Sequence, residues 1–353
     1  MKANWKALAP PLVILTGAVL GVLAAVLAKL GNPPNMGLCI ACSQRDIAGA
    51  LGLHRAAAVQ YLRPEIAGLV LGAVLAAAAG RELRGRSAPA PALSFVLGGF
   101  VMIGAMAFLG CPIRMTLRLA AGDLNALPGI AGFAAGIFAG TLLLKRGYSL
   151  GRAAHAPLLP ALVLPVLAAG LLVLVVLRPP FIFFSAKGPG SQAAPVAASL
   201  AAGLLLGALA QRSRICFAGG IRDMILIRSP HLLVGALAAL VAACLANLAL
   251  GQFKLGFADQ PLAHTDQLWN FLGMALVGLG AVLLGGCPLR QIVLASQGDG
   301  GAFAAICGMF AGAAIAHNFG LAATPKGVPL AGQIAVLVGL AVCLLVGWLS
   351  RET

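Results

Sequence analysis

Charge is what this chain has least of. Only 9% of its 353 residues are Asp, Glu, Lys or Arg, against about 25% in a soluble domain. The mean hydropathy is +1.00. So few charges cannot cover a water-facing surface, which argues against any soluble class. Acid is scarcer still: nine Asp and Glu stand against 24 Lys and Arg, a net charge of +15. In a soluble chain that excess points to nucleic acid. Here the first reading is basic loops at a membrane surface, with an anionic small molecule as the sharper one, and no nucleic-acid partner is expected. No haem, flavin or nucleotide motif is evident, so no cofactor is expected. "CIAC" (39–42) has redox or zinc spacing, but no second Cys or His cluster lies near it, so a metal site is not expected either. The eight cysteines fall mostly inside or at the ends of apolar runs, unlike a secreted disulfide set.

What the chain has is long apolar runs, such as "PPLVILTGAVLGVLAAVLA" (10–28) and "LLPALVLPVLAAGLLVLVVL" (158–177). A bilayer core of about 30 Å needs about 20 such residues in a helix. One run after Lys2 and Lys6 could be a signal peptide, but ten cannot. The reading is an all-α polytopic membrane protein with crossings at 9–30, 64–80, 91–110, 127–145, 158–178, 192–211, 231–250, 268–286, 301–318 and 328–349. Gly-rich stretches at 34–58, 111–124, 214–228 and 287–300 are neither apolar spans nor simple loops. With the N-terminus inside, "RELRGR" (81–86), Lys145, Arg146, Arg152, Arg212, Arg214 and Arg351 also fall inside. Outside, the loops keep Arg178, Lys187, Lys254 and Lys326. The positive-inside bias therefore puts both termini in the cytoplasm.

The chain repeats itself. "IGAMAFLGCPIR" ends at Arg114 and "LGAVLLGGCPLR" at Arg290. Aligning Cys111 with Cys287 gives an offset of 287 − 111 = 176, which also matches Asp123 with Asp299. "CIACSQRD" (39–46) matches "CFAGGIRD" (216–223), pairing Cys39 with Cys216, Arg45 with Arg222 and Asp46 with Asp223. A unit this long is no solenoid repeat. Two units are expected, residues 1–180 and 190–353. Five crossings each is an odd number, so the second copy is inverted. The four Gly-rich stretches then become short re-entrant or broken helices meeting at the midplane, where inverted-repeat transporters keep their substrate sites.

Pro112 and Pro288 suit the first position of a helix, which leaves Cys111 and Cys287 at the N-cap. A helix N-terminus there favours anions. For Cys244, Cys307 and Cys343, none with a mate, plain packing is the better reading. For Cys39, Cys111, Cys216 and Cys287 the duplication favours function. Cys42 has Gly219 as its counterpart and stays open. Arg45, Asp46, Arg222, Asp223, Asp123 and Asp299 are read as structural, pairing with one another or capping short helices. Arg114 and Arg290 either pair with Asp123 and Asp299 or raise the local positive potential. Gly132 and Gly136 read as close helix packing.

Taken together, "CIACSQRDIAG", "GCPIR", "RICFAGGIRDMILIR" and "GGCPLRQIVLASQGDG" resemble the YeeE/YedE family of bacterial membrane proteins over nearly the whole chain. The stretch from Gly31 to Glu65 is more similar to the YedE branch, linked to selenium transport, while relatives of YeeE take up thiosulfate along a cysteine-bearing path. The resemblance implies uptake of a small sulfur- or selenium-containing anion across the bacterial inner membrane, past Cys39, Cys111, Cys216 and Cys287 with Cys42 as an extra. It also implies a cytoplasmic sulfur-carrier partner of the TusA type, beside membrane lipid. Ser43 and Gln44 depart from the second half, which has Gly220 and Ile221. The competing reading is an enzyme, a membrane thiol oxidoreductase or sulfurtransferase using Cys39 and Cys42.

Overall fold

The computed structural model describes residues 11–351. Lys2 and Lys6, part of the orientation argument, lie outside the described residues. Fourteen α-helices occur among the described residues: α1 (Pro11–Lys29), α2 (Ile40–Ala50), α3 (Pro64–Ala79), α4 (Pro91–Phe108), α5 (Pro112–Ala120), α6 (Ala126–Lys145), α7 (Val163–Leu177), α8 (Val196–Ser213), α9 (Phe217–Ile227), α10 (His231–Ala249), α11 (Gln267–Leu283), α12 (Pro288–Ser296), α13 (Gly300–Asn318) and α14 (Leu330–Leu349). Several begin on proline, which lacks the N–H that a first turn cannot satisfy anyway; Pro64, Pro91, Pro112 and Pro288 do so.

Eight candidate spans are long and apolar enough to cross a membrane, counting α4 with α5, α8 with α9 and α11 with α12 as continuous stretches. This is a multi-pass helical membrane protein. The helices α3 and α7 are apolar but only 16 and 15 residues long. At about 1.5 Å per residue they reach about 24 Å, short of a full hydrocarbon core.

The helices pack in four close pairs: α1 on α10, α3 on α8, α4 on α13, and α6 on α11, with α4 and α11 also in contact. Bare glycine backbone makes the closeness possible. Gly132 and Gly136 of α6 lie against the carbonyls of Phe271 and Ala275 in α11, and Gly308 and Gly312 of α13 against those of Phe95 and Gly99 in α4. A methyl at any of the four would strike a carbonyl, so the small residues set the helix spacing.

The connecting loops gather on two faces. On one, Gly256 N donates to Gly122 O at 3.0 Å and Leu124 N to Gly256 O at 3.0 Å. Ala194 N donates to Asn32 Oδ1 at 2.8 Å and Asn318 Nδ2 to Leu53 O at 2.9 Å on the same face. On the other, Arg84 N donates to Gln297 O at 2.9 Å, Ala156 N to Gly85 O at 3.0 Å and Ser149 N to Ser350 O at 3.0 Å. Lys254, Lys187 and Arg178 thus go with the first face, and the 81–86 loop, Arg146, Arg214 and Arg351 with the second.

The last helices of the two halves differ. α14 packs on α4 and α11, whereas α7 packs on α3. Between α7 and the body lies an apolar cleft of about 750 Å3 that includes Leu167, Leu171, Ile306, Cys307 and Gln44.

Candidate functional site

Four short helices carry the repeated motifs, and a cysteine stands at the N-cap of each. Cys39 precedes α2 with φ −151° and ψ 113°, and its sulfur accepts from Cys42 N at 3.3 Å. Cys216 precedes α9 with φ −151° and ψ 119°, and its sulfur accepts from Gly219 N at 3.2 Å. Extended backbone followed by a side-chain acceptor for the N–H three residues on is ordinary N-capping, here done by thiols. Cys111 and Cys287 precede α5 and α12 with extended backbone and no side-chain cap bond, each followed by proline. Their sulfurs are therefore free to face other groups.

The structure sorts these residues into two groups. In the first, Cys39 Sγ lies 2.7 Å from Cys42 Sγ and 3.7 Å from Cys111 Sγ. In the second, Cys287 N donates to Cys216 Sγ at 3.4 Å. All five cysteines are buried and all eight in the chain are free thiols. Among the described residues no hydrogen bond joins one group to the other, yet α2 touches α12 and α9 touches α5, so the groups neighbour each other through their helices. Cys244, Cys307 and Cys343 lie within α10, α13 and α14, in neither group.

The two matched arginines are used differently. Arg114 is fully committed: Nε donates to Asn35 O at 3.0 Å, Nη2 to Leu262 O at 3.1 Å, and Nη1 to Leu109 O and to Cys42 Sγ, the latter at 3.4 Å. It ties three chain segments together around the Cys42 thiol. Arg290 makes no such bonds; its Nη1 is buried with no hydrogen-bond partner among the described residues.

Neither arginine pairs with Asp123 or Asp299, the one arrangement among those considered that the structure overturns. Asp123 takes Arg118 Nε at 2.6 Å and the Asn125 N–H and Nδ2 at 2.9 and 2.8 Å. Asp299 caps α13 through Ala302 N at 2.9 Å, with Arg86 4.0 Å away. The reason is geometric: Arg118 is one helical turn nearer the α5–α6 turn than Arg114 and takes Asp123, while Asp299 is engaged as the N-cap of α13. In the Arg-Asp pairs, Arg45 donates to Asp46 at 2.8 and 2.6 Å and Arg222 to Asp223 at 2.8 Å. Arg63, which no repeat marks, adds a second guanidinium on Asp46 at 2.7 Å. Arg118 likewise has Leu294 as its counterpart, so comparing the halves passes over it. Arg118 lies five positions before Asp123, a signal in sequence, whereas Arg63 is 17 positions from Asp46 and carries none.

Two buried histidines fix loops beside the first group. His54 Nε2 bonds Arg45 O at 3.0 Å and His264 Nε2 bonds Ala107 O at 2.8 Å, while each Nδ1 accepts a backbone N–H at 3.3 Å, from Ala56 and Asp266. An Nδ1 that accepts and an Nε2 that faces a carbonyl describe the neutral Nε2–H tautomer. Burial lowers both pKa values below the ordinary histidine range, which keeps that form. No group of three or more His, Cys, Asp or Glu side chains suited to a metal ion occurs among the described residues.

Broken helices whose starts meet inside a multi-pass helical membrane protein are the build in which membrane transporters keep their substrate sites. Comparison with known proteins narrows this. Residues 212–350 match the family described as sulphur transport. The chain is similar to the thiosulfate transporter TsuA of Escherichia coli (strain K12), 30% identical over 111 residues, 31% of each chain. It thus spans about a third of the length of the curated relative it matches. The family match takes in less than half of the chain, and both similar groups are described as transporting a sulfur compound.

Proposed function

We propose that the protein takes up a small sulfur- or selenium-containing anion, of the thiosulfate or selenium-oxyanion class, along a path lined by Cys39, Cys42, Cys111, Cys216 and Cys287. The observation that carries this reading is the like construction of the two thiol groups: a cysteine capping a short helix through the N–H three residues on, with a Gly-Cys-Pro cysteine beside it. Neutral thiols donate weakly to soft sulfur or selenium, and helix N-termini favour anionic charge. A thiol-lined passage therefore suits a cargo that is soft at one end and anionic at the other.

The architecture of the proposal is two inverted halves, about residues 1–180 and 190–353. Helix packing supports it. Exchanging α1 with α8, α3 with α10, α4 with α11 and α6 with α13 turns the pair α1–α10 into α8–α3, and α4–α13 into α11–α6. The glycine contacts follow the same exchange, since 308 − 132, 312 − 136, 271 − 95 and 275 − 99 are all 176. The last pair, α7 and α14, departs from it. Lysine and arginine bias makes the face of the 81–86 loop cytoplasmic, in a bacterial inner membrane, where a TusA-like carrier would collect the cargo.

Uptake of labelled thiosulfate, selenite and selenosulfate into liposomes with and without the protein is the test. Protein-dependent uptake of at least one supports the reading, and uptake of none overturns it. The 2.7 Å approach of Cys39 and Cys42 favours one second reading, a membrane thiol oxidoreductase. There the two thiols would give two electrons and two protons to a disulfide substrate and end as a disulfide themselves. Mass measurement after turnover separates the readings, because transport leaves both thiols reduced.

A further inference from the structure

The two mouths beside the α5 and α12 helices are built by the same backbone pairing. Lys254 N donates to Ala121 O at 2.8 Å in one, and Arg84 N to Gln297 O at 2.9 Å in the other. Gly256 N donates to Gly122 O at 3.0 Å, and Arg86 N to Gly298 O at 2.9 Å. Each pairing holds a loop over the end of a short helix and leaves a cavity beside it. The first cavity, about 240 Å3, has Lys254 and the amides of Asn35 and Gln260 in its wall. The second, about 280 Å3, is walled by Arg81, Arg84, Arg86, Arg214 and Arg290 against one carboxylate, Glu82.

We propose that this second cavity is an oxyanion-holding site at the cytoplasmic mouth, which receives the doubly charged cargo as it leaves the Cys216–Cys287 pair. It deepens the uptake reading above and rests on it. Positive-inside sorting explains arginines on a cytoplasmic loop, but it does not explain how these are arranged. Arg290 lies three residues beyond Cys287, and its Nη1 is buried with no acceptor among the described residues. A buried guanidinium nitrogen without an acceptor is costly, and an anion in the cavity removes the cost. Glu82 does not fill that role: its oxygens are taken by Gln211 Nε2 at 2.7 Å and Arg214 at 3.6 Å. Arg81 and Arg84 have no ion-pair partner among the described residues, and Arg86 has only Asp299 at 4.0 Å. The pairing of Arg84 and Arg86 through their backbone N–H groups fixes the loop without using the guanidinium groups. Those planar forks match the oxygens of a sulfonyl or selenyl end two at a time. The matching arginine of the other half, Arg114, is spent on backbone carbonyls, so among the described residues the other mouth has no counterpart to the free Arg290 nitrogen.

The test is protection of arginines from phenylglyoxal in the full-length protein in nanodiscs, mapped by peptide mass, with thiosulfate or sulfate as the probe. At ten times the half-saturating concentration, modification of Arg84 and Arg86 should slow by roughly tenfold, while that of exposed Arg152 on the same face stays unchanged. Arg290→Gln, which removes a guanidinium nitrogen buried without a partner and so should fold, should abolish the protection, and Arg290→Lys should keep part of it. Equal slowing at Arg152 would mean ionic screening alone and overturn the site, as would full protection in Arg290→Gln. Protection without uptake would leave the site standing and defeat the transport reading. Uptake without protection would do the reverse.

Discussion

The same Arg-Asp motif occurs in two different environments, and substitution should expose the difference. Asp46 is fully buried and receives Arg45 at 2.6 Å and Arg63 at 2.7 Å, both of them buried too. Asp46→Asn removes the carboxylate charge that receives both buried guanidinium groups. Breaking a buried pair in this way costs about 3–5 kcal/mol. Asp223 faces Arg222 alone, with both side chains about a quarter exposed. Its Asn variant should cost about 0–1 kcal/mol, because water screens the pair. In a chain of this size each kcal/mol moves the melting midpoint by about 2 °C. Detergent-solubilised Asp46→Asn should then melt at least about 5 °C lower and Asp223→Asn within about 2 °C of the parent. The assay is fluorescence-detected size exclusion after heating, with the amount inserted in membranes as a second readout. Equal shifts in the two variants would refute the argument that burial, rather than the motif itself, decides the cost.

Further outcomes follow from the same geometry. His54 and His264 are held neutral, their pKa values lowered. The unfolded chain therefore takes up protons below about pH 6.5 that the folded state refuses, so their contribution is present above that pH and is lost as pH falls beneath it. A melting-against-pH series should show an acid limb that His54→Asn with His264→Asn flattens; an unchanged limb would assign it elsewhere. Single cysteines introduced at Lys187 and Arg84 should differ in labelling by an impermeant reagent from outside, only the former reacting; labelling of the latter alone would reverse the topology. Cys244→Ala, Cys307→Ala and Cys343→Ala, away from both thiol groups, should keep near-full uptake per inserted protein, and a large loss at any of them would extend the path beyond the repeated motifs.

Much of this was legible because membrane spans are a composition signal. A helix lies on each of the ten expected stretches, and α2, α5, α9 and α12 fall in the four Gly-rich segments. Gly132 and Gly136 were readable as packing residues from spacing alone. The partners of the charges were not. Arg63 reaches Asp46 across 17 positions, and its other nitrogens find Gln192 O and Pro189 O more than 120 positions away. Comparing the halves exposes only what both share. It marks Arg114 with Arg290 but passes over Arg118 and Arg63, and it gives no sign that Arg114 is bound to carbonyls while Arg290 is bare. The different seats of α7 and α14 are also invisible to it, because apolar residues on a lipid-facing helix do not specify a neighbour.

The most direct test of the central claim is uptake of labelled thiosulfate and selenium oxyanions by the Cys111→Ala, Cys287→Ala double variant, normalised to membrane-inserted protein. Each substitution removes a free thiol at the start of a short helix, leaving that helix, its proline and its arginine in place. Serine should restore little, since oxygen is smaller and harder than sulfur. The account predicts uptake near background with insertion unchanged. Full uptake would contradict a thiol-lined path and leave the arginines and backbone N–H groups as the whole of the anion site.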